Sequence, residues 1–336
     1  MFSGHFVHNI DPVVFEIGGT YFWWYGFSFT AGFLGIFFWL RRNRTSLAMD
    51  MSEVYNLTIM MSLGVLLGGR VIEVFFYEWA YYGQHLTHIP ALWLGGMSTH
   101  GLLLGAILSM AVYCRLKRRS FLELADSLAI AGAYIMGMGR IGNFIDGQII
   151  GSVTDVWWAV KFPDVEGFRH PVVLYDGIKN LMLIPFLLWI RSMHPPRGVV
   201  VAHFFLWYGF LRIFIDFFRE YRTDFLGFPP GQEFNIFMSL LGVFMLGWFY
   251  RKRGPEPERG MKEAGTAVAV PEASVRLRVK QVVFALLLVL PTVIPSDWTQ
   301  NVPDRYGKRH AGMVHSAFYP DIVVPEGATS LLDTAP

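Results

Sequence analysis

The chain is poor in charge and in cysteine. Only 16% of its 336 residues are Asp, Glu, Lys or Arg, against about 25% in a soluble domain. Hydrophobic residues make up 53%, with 30 Phe and 11 Trp. That shortage of charge excludes an ordinary soluble globule and marks a membrane protein. The lone Cys114 excludes an intrachain disulfide framework, and without a neighbouring histidine in sequence it makes a poor nucleophile. A formal net charge of +2 leaves too little positive field for a nucleic-acid partner. The first twenty residues place no basic cluster ahead of the first apolar run, which argues against a cleaved signal peptide. No internal repeat is found.

What is present is a series of apolar runs near the length of about 20 residues that crosses a bilayer. They cover 21–40, 54–77, 93–113, 122–139, 172–190, 199–217 and 234–250. The expected fold is an all-α integral membrane protein, a bundle of seven transmembrane helices within residues 1–253. A shorter apolar run at 281–295, interrupted by Pro291 and Pro295, leaves room for an eighth; a reentrant or interfacial segment also fits that length. Residues 254–280 read as a Pro/Glu/Arg/Ala-rich cytoplasmic linker, and 296–336 as a polar, solvated tail on the periplasmic side. His310 and His315 in that tail are too weakly patterned for a metal site. Basic residues close every odd-numbered run: Arg41, Arg42 and Arg44, then Arg115 to Arg119, then Arg191 and Arg197, then Arg251 to Arg253. Positive charge marks the cytoplasmic side, so the N-terminus is expected outside.

Polar residues inside such runs are costly in lipid and therefore informative. Arg70 and Glu73, three apart, share a helix face and can form a structural ion pair or belong to a site. His100 is expected about two turns into the third helix. Asp126 lies toward the cytoplasmic half of the fourth and reads as a helix–helix hydrogen bond. Around Arg140 the glycines 137, 139, 142 and 147 signal close backbone approach or sharp turning. Arg140 is expected at the end of the fourth helix, with Asn143 opening an irregular segment that runs to His170. Arg212 and Asp216 are four apart near the outer end of the sixth helix, with Tyr208 one turn earlier. Two arginines at headgroup depth, with few acids to neutralise them, suit a phosphate-bearing lipid, because a guanidinium offers a bidentate fork. Holding a headgroup and expelling it remain equally open on charge alone, so a lipid-binding or lipid-transport protein stands beside an enzyme.

Six ordered motifs narrow this choice. They are Trp24-Tyr25-Gly26, Leu67-Gly68-Gly69-Arg70, Gly96-Met97-Ser98-Thr99-His100-Gly101, Gly139-Arg140-Ile141-Gly142-Asn143-Phe144, His170-Pro171 with Leu174-Tyr175, and Tyr208-Gly209 with Arg212. Over residues 11–253 the chain resembles the phosphatidylglycerol–prolipoprotein diacylglyceryl transferases. The resemblance implies transfer of a diacylglyceryl group from phosphatidylglycerol to the lipobox cysteine of a prolipoprotein, in the bacterial cytoplasmic (inner) membrane, without metal or organic cofactor. It implies catalytic roles for His100 as thiol base and for Arg140 and Arg212 as phosphate partners. It also implies substrate binding by Tyr25, Arg70, Gly142, Asn143, Gln148, Gly151, Tyr208 and Asp216.

The chain departs from the family pattern at several points. Gln148 stands where the family has glutamate, and Leu102 where a second glycine follows the histidine motif. Val172 and Val173 replace a serine–glutamine pair, and Asp176 and Asp216 replace longer glutamates. A re-purposed phospholipid-binding paralogue is the alternative these departures leave.

Overall fold

The structure is a computed structural model and describes residues 5–163, 165–220, 232–251, 274–296 and 301–322. The chain begins with strands β1 (Phe6–Val7), β2 (Val13–Ile17) and β3 (Thr20–Trp23), then enters helices α1 (Trp24–Asn43) and α2 (Met51–Ile72). A π-helical turn, Glu73–Tyr77, prolongs α2, and the short helix α3 (Trp79–Tyr82) follows. Helices α4 (Thr99–Lys117) and α5 (Phe121–Ile145) come next, then strand β4 (Val160–Lys161) in a long loop. Helices α6 (Val172–Ser192), α7 (Val199–Asp216), α8 (Gln232–Arg251), α9 (Ser274–Val289) and α10 (Val302–Tyr306) complete the described elements.

Six of these segments are long and apolar enough to cross a membrane: Met51–Tyr77, α4, α5, α6, α7 and α8. Helix α1 is 20 residues long but is not among the six. The all-α membrane architecture thus holds, while the expected seven spans become six by this measure. Apolar side chains such as Leu67, Leu108, Met182, Phe214, Leu240 and Phe244 are exposed on the outside of the bundle, as a lipid-facing surface requires.

Contacts between the helix ends give the bundle two distinct ends. At the basic end, Arg119 bridges Glu53 and donates to the carbonyls of Leu47 and Ala48, and Arg191 donates to Asn43. The Asp126 carboxylate accepts from the amides of Gly198 (2.7 Å) and Val201 (2.8 Å), so it caps the start of α7 and makes the expected bond between helices. The opposite end carries the hairpin β2–β3, the loops 73–98 and 146–171, and the segment 301–322.

Two helix boundaries correct the expectations. Helix α4 starts at Thr99 rather than Trp93, because Gly95 and Gly96 take φ of 81° and 84° and Ser98 caps the first turn. His100 is therefore the second residue of its helix and exposed, not two turns deep. Helix α5 runs on to Ile145, so Arg140 and Asn143 stand one turn apart on a helix and not at the start of an irregular segment. Two of its glycines serve packing: a Cβ on Gly142 would lie 2.9 Å from Tyr25 Cα on α1, and one on Gly137 would lie 2.7 Å from the Leu181 side chain on α6.

The same device joins α2 and α4. Gly64 and Gly68 face Gly101 and Gly105, and a Cβ on Gly68 or Gly105 would run into the carbonyl oxygen of Gly101 or Gly64 respectively. Each helix thus carries a Gly-x-x-x-Gly face that lets the two backbones touch.

The region beyond α8 also departs from expectation. Most of the linker expected at 254–280 lies outside the described residues; α9 begins at Ser274. The segment 301–322 is not a solvated tail. Tyr306 and Tyr319 are fully buried with Trp23, Tyr21, Val13 and Leu94 in a second hydrophobic core over the end of the bundle. His310 pairs with Asp11 at 2.9 Å.

Two outcomes are expected. Gly105→Val forces α2 and α4 apart and lowers stability by about 1–3 kcal/mol or more, whereas Gly132→Ala, which meets nothing within 4 Å, is neutral or stabilising by up to about 1 kcal/mol; thermal unfolding in detergent separates the two. Burial, the largest cause at each, also pushes the imidazole pKa of His8, His88 and His170 below the ordinary 6.5. The folded protein then resists protonation that the unfolded chain accepts, so stability is held above pH 6.5 and lost as pH falls from there toward the lowered values. The melting temperature should drop between pH 7 and 5, and less so in His8→Gln, which keeps a donor for the Phe144 carbonyl; parallel curves would remove His8 from this account.

Candidate functional site

At the far end from the basic residues, three helices aim charged side chains at one carboxylate. Asp176 on α6 is 0% exposed. Its Oδ2 accepts from Arg140 Nε on α5 at 2.6 Å and from Arg212 Nη1 on α7 at 2.6 Å. Its Oδ1 lies 2.8 Å from Lys179 Nζ, one turn further along α6. Arg212 reaches back to Asp216 Oδ1 at 3.1 Å, and Arg219 lies 3.8 Å from the same oxygen. Asn235 on α8 donates to Asp216 Oδ2 at 3.1 Å. Arg140 Nη1 also donates to Asn143 Oδ1 at 3.1 Å. Lys179 sits 3.8 Å from the centre of the Tyr208 ring, whose π face favours a cation.

The backbone allows this convergence. A Cβ on Gly177 would stand 3.2 Å from Arg140 Cβ, so α5 and α6 approach closely where their charges meet. Gly209 permits the same between α7 and α8, with Asn235 O at 2.5 Å from its notional Cβ. Removing charges from water inside a bundle is costly, and the ion pairs recover that cost only in part. Among the described residues, four cations, Arg140, Lys179, Arg212 and Arg219, share two carboxylates, Asp176 and Asp216. The cluster therefore keeps net positive charge and is suited to an anion.

The other candidates fall around it. Tyr25 is buried on α1 across from Gly142, with its ring 5.2 Å from Phe29. Gly151 sits in the loop above, its amide donating to His170 O at 3.2 Å, and a Cβ there would collide with that carbonyl. Gln148 leaves the loop toward the chain's own end, where Arg305 donates to its Oε1 at 2.8 Å. His100 lies across α8: its ring meets Phe234 at 5.4 Å, while the next residue, Asn235, bonds Asp216. Its Nδ1 is 3.2 Å from the Tyr77 hydroxyl. Arg70 is placed differently. It is buried, and its donors reach the carbonyls of His88, Ile89, Ala91, Gly95 and Gly96, so it ties the loop before α4 in place.

Asp176 as the hub and Lys179 beside it went unread in the sequence. The signal for Lys179 was there: a lysine three residues after an aspartate inside an apolar run obeys the rule that singled out Arg70 and Glu73. Asn235 had no such signal, because a single amide in a helix carries no partner in sequence. Asn180 is fully buried, and both its amide atoms lack a hydrogen-bond partner among the described residues.

A polytopic membrane protein with a buried cationic cluster near the loops at one end of its bundle is the class this geometry defines. The sequence profile of the family described as prolipoprotein diacylglyceryl transferase matches residues 12–248, and the chain belongs to that family. It is 39% identical over 257 residues to the phosphatidylglycerol–prolipoprotein diacylglyceryl transferase of Geobacter sulfurreducens, covering 74% of this chain and 98% of that protein. The enzyme of the same name from Nitrosospira multiformis is 38% identical over 263 residues, covering 75% of this chain and 91% of its own length. That of Mannheimia succiniciproducens is 38% identical over 257 residues, covering 73% and 95%.

Asp176 is expected to hold the cluster together. Asp176→Ala leaves three cations around an apolar gap and should cost about 3–5 kcal/mol, read as thermal unfolding in detergent. Adding Lys179→Met removes one uncompensated charge and should restore part of that loss. An unchanged melting temperature in the single variant would show that the cluster is solvated and not tied to Asp176.

Proposed function

We propose that the protein transfers the diacylglyceryl group of phosphatidylglycerol to the lipobox cysteine of prolipoproteins, releasing glycerol-1-phosphate. The observation that carries this reading is the Arg140–Asp176–Arg212 junction, a net-positive pair of guanidiniums facing one carboxylate. The lipobox thiolate attacks the glyceryl carbon that bears the phosphate. A C–S bond forms, the C–O bond breaks, and the electron pair leaves on the phosphate oxygen. Negative charge grows on that oxygen, and the two guanidiniums are the groups that receive it. In the resting protein they share Asp176, and the arriving phosphate competes for the same donors.

The thiol must lose its proton, and His100 is the acceptor of suitable chemistry. With Nδ1–H directed at the Tyr77 hydroxyl, 3.2 Å away, Nε2 is left as the base. Its exposed position at the start of α4, beside Phe234, suits a peptide thiol arriving from the side of α8. Tyr25, Gly142, Asn143, Gly151, Tyr208 and Asp216 shape and orient the lipid site, and Gln148 lines its rim. Arg70 supports it by holding the loop before α4 in place. The reaction needs no metal or organic cofactor, because the phosphate monoester is itself the leaving group.

The basic end of the bundle faces the cytoplasm by the positive-inside rule, so the N-terminus and the cluster face the outer side of the cytoplasmic membrane. Helix α1 forms a seventh crossing and α9 an eighth. The support for α9 is its path beside α1 and α2, from Ser52 at the basic end to Gly26 at the other. Shortening of glutamate to Asp176 and Asp216 is compatible with turnover, because both carboxylates still reach the arginines, within 2.6 and 3.1 Å.

Expressed in bacteria depleted of their own transferase, the chain should restore growth and add the diacylglyceryl mass to a model lipoprotein, read by mass spectrometry. Arg140→Ala should lower transfer by at least about 100-fold, the scale on which loss of one oxyanion partner acts, with the protein still inserted. A correctly inserted parent chain that adds no lipid would overturn the reading; transfer retained by Arg140→Ala would reassign that arginine to structure.

A further inference from the structure

The family profile ends at residue 248 and the relatives cover about three quarters of the chain, yet the chain continues, and its continuation returns to the site. Lys280 bonds Ser52 where α2 begins, and the Phe284 ring packs on Phe37 (5.2 Å) and Tyr55 (6.0 Å). Leu288 O accepts from Thr30, and the carbonyl of Pro291 lies directly over Gly26, where no side chain would fit. At the end of this path the Ser296 amide donates to Asp146 Oδ2 at 3.0 Å. Asp146 is the C-cap of α5, the helix that carries Arg140 and Asn143.

The segment 301–322 then folds over the same point. Tyr306 packs on Trp23 with ring centres 4.8 Å apart, the Tyr319 hydroxyl accepts from the Tyr21 amide at 3.1 Å, and Trp93 donates to Phe318 O at 2.8 Å. From this anchored platform two arginines reach the end of α5. Arg309 Nη2 donates to Asp146 O at 2.8 Å and Nη1 to Ile145 O at 3.5 Å; Arg305 Nη2 donates to Gln148 Oε1 at 2.8 Å. Gly147, with φ of 68°, reverses the chain there, and a Cβ on it would come within 3.3 Å of Arg309 Nη1.

A helix C-terminus ends in carbonyls with no partner inside the helix and carries the negative end of the dipole, so a guanidinium held against it both bonds and neutralises it. Arg140 and Asn143 lie within the last two turns of that helix. The reach of Arg140 toward Asp176, and its bond to Asn143, therefore depend on how firmly the helix end is held. We propose that the C-terminal extension is a built-in clamp on the site helix, in which Arg309, and Arg305 through Gln148, are positioning residues for the transfer reaction. The clamp acts through α5 and touches no reacting atom, and its catalytic consequence rests on the phosphate role of Arg140 given above. It also gives Gln148 an occupation in this chain: an amide oxygen accepting from an arginine of the extension.

The test uses the full-length protein in detergent, with phosphatidylglycerol and a synthetic lipobox peptide as substrates, and follows hydrogen exchange over 141–150 in parallel. Arg309→Ala should lower kcat about tenfold, since small displacements of a positioned group act on the chemical step, with KM for phosphatidylglycerol within about twofold of the parent. Exchange at the end of α5 should quicken at least about fivefold as local opening becomes easier. Arg309→Lys, which keeps a cation at the helix end, should recover at least half of the kcat loss on a logarithmic scale. His315→Ala, on an exposed ring of the same segment, should match the parent in both readouts. The proposal is overturned if Arg309→Ala keeps the parent's kcat, if activity falls only in proportion to the folded fraction, or if Lys rescues nothing. A parent chain with no transfer activity would sink the transferase reading separately; exchange then decides the clamp alone, and unchanged exchange in Arg309→Ala overturns it.

Discussion

The charged cluster at one end of this helix bundle depends on one buried carboxylate. Asp176 draws Arg140, Lys179 and Arg212 from three helices to within 2.6–2.8 Å. Without it the like charges would repel in a medium that screens them poorly. With it, the helices are held at a fixed separation and the excess positive charge is kept in place. Structure and function pull on the same bonds here. In the proposed reaction the guanidiniums that tie α5, α6 and α7 together are the groups that a phosphate takes over, with the resting ion pairs standing in for substrate charge.

Such a junction requires backbones that come unusually close, and glycine supplies the means. Gly177 and Gly137 let α5 approach α6, Gly142 lets α5 approach α1 beside Tyr25, and Gly209 does the same for α7 and α8. In lipid, where burying apolar surface gives helices no advantage, close packing of this kind is a main source of association. Gly137 and Gly142, on either side of Arg140, are thus packing residues on a continuous helix, whereas a Cβ on Gly139 would meet nothing within 4 Å. Gly147, just past the helix end, is the one that turns the chain.

Parts of this arrangement were legible in the sequence. Arg140, Arg212, Asp216, Tyr208 and Asn143 stood out as polar groups in apolar runs, and all of them meet at the cluster or border it. Asp126 was expected to join two helices and does so by capping α7. His100 was misplaced in depth, because the two positive-φ glycines before it end one turn and delay the next helix to Thr99. Arg70 was offered as an ion pair or a site residue, and its guanidinium is spread over five loop carbonyls that no spacing rule connects to it. The segment 301–322 read as solvated because its apolar residues are sparse and unpatterned. Tyr306, Met313, Tyr319 and Ile322 form a core only with the hairpin and the Leu92–Leu94 turn, which lie far away in sequence.

Low charge, long apolar runs and local motifs are properties of neighbouring residues, so the membrane environment, most of the helices and the family resemblance could be read along the chain. So could the excess of positive over negative charge at one end of the bundle. Which carboxylate receives that charge, and the return of the last described segment onto the helix bearing Arg140, emerge only in three dimensions. Both are contacts between residues tens to hundreds of positions apart. Such pairings follow from how close the helices come and which faces they turn, and a periodicity read along one helix contains neither.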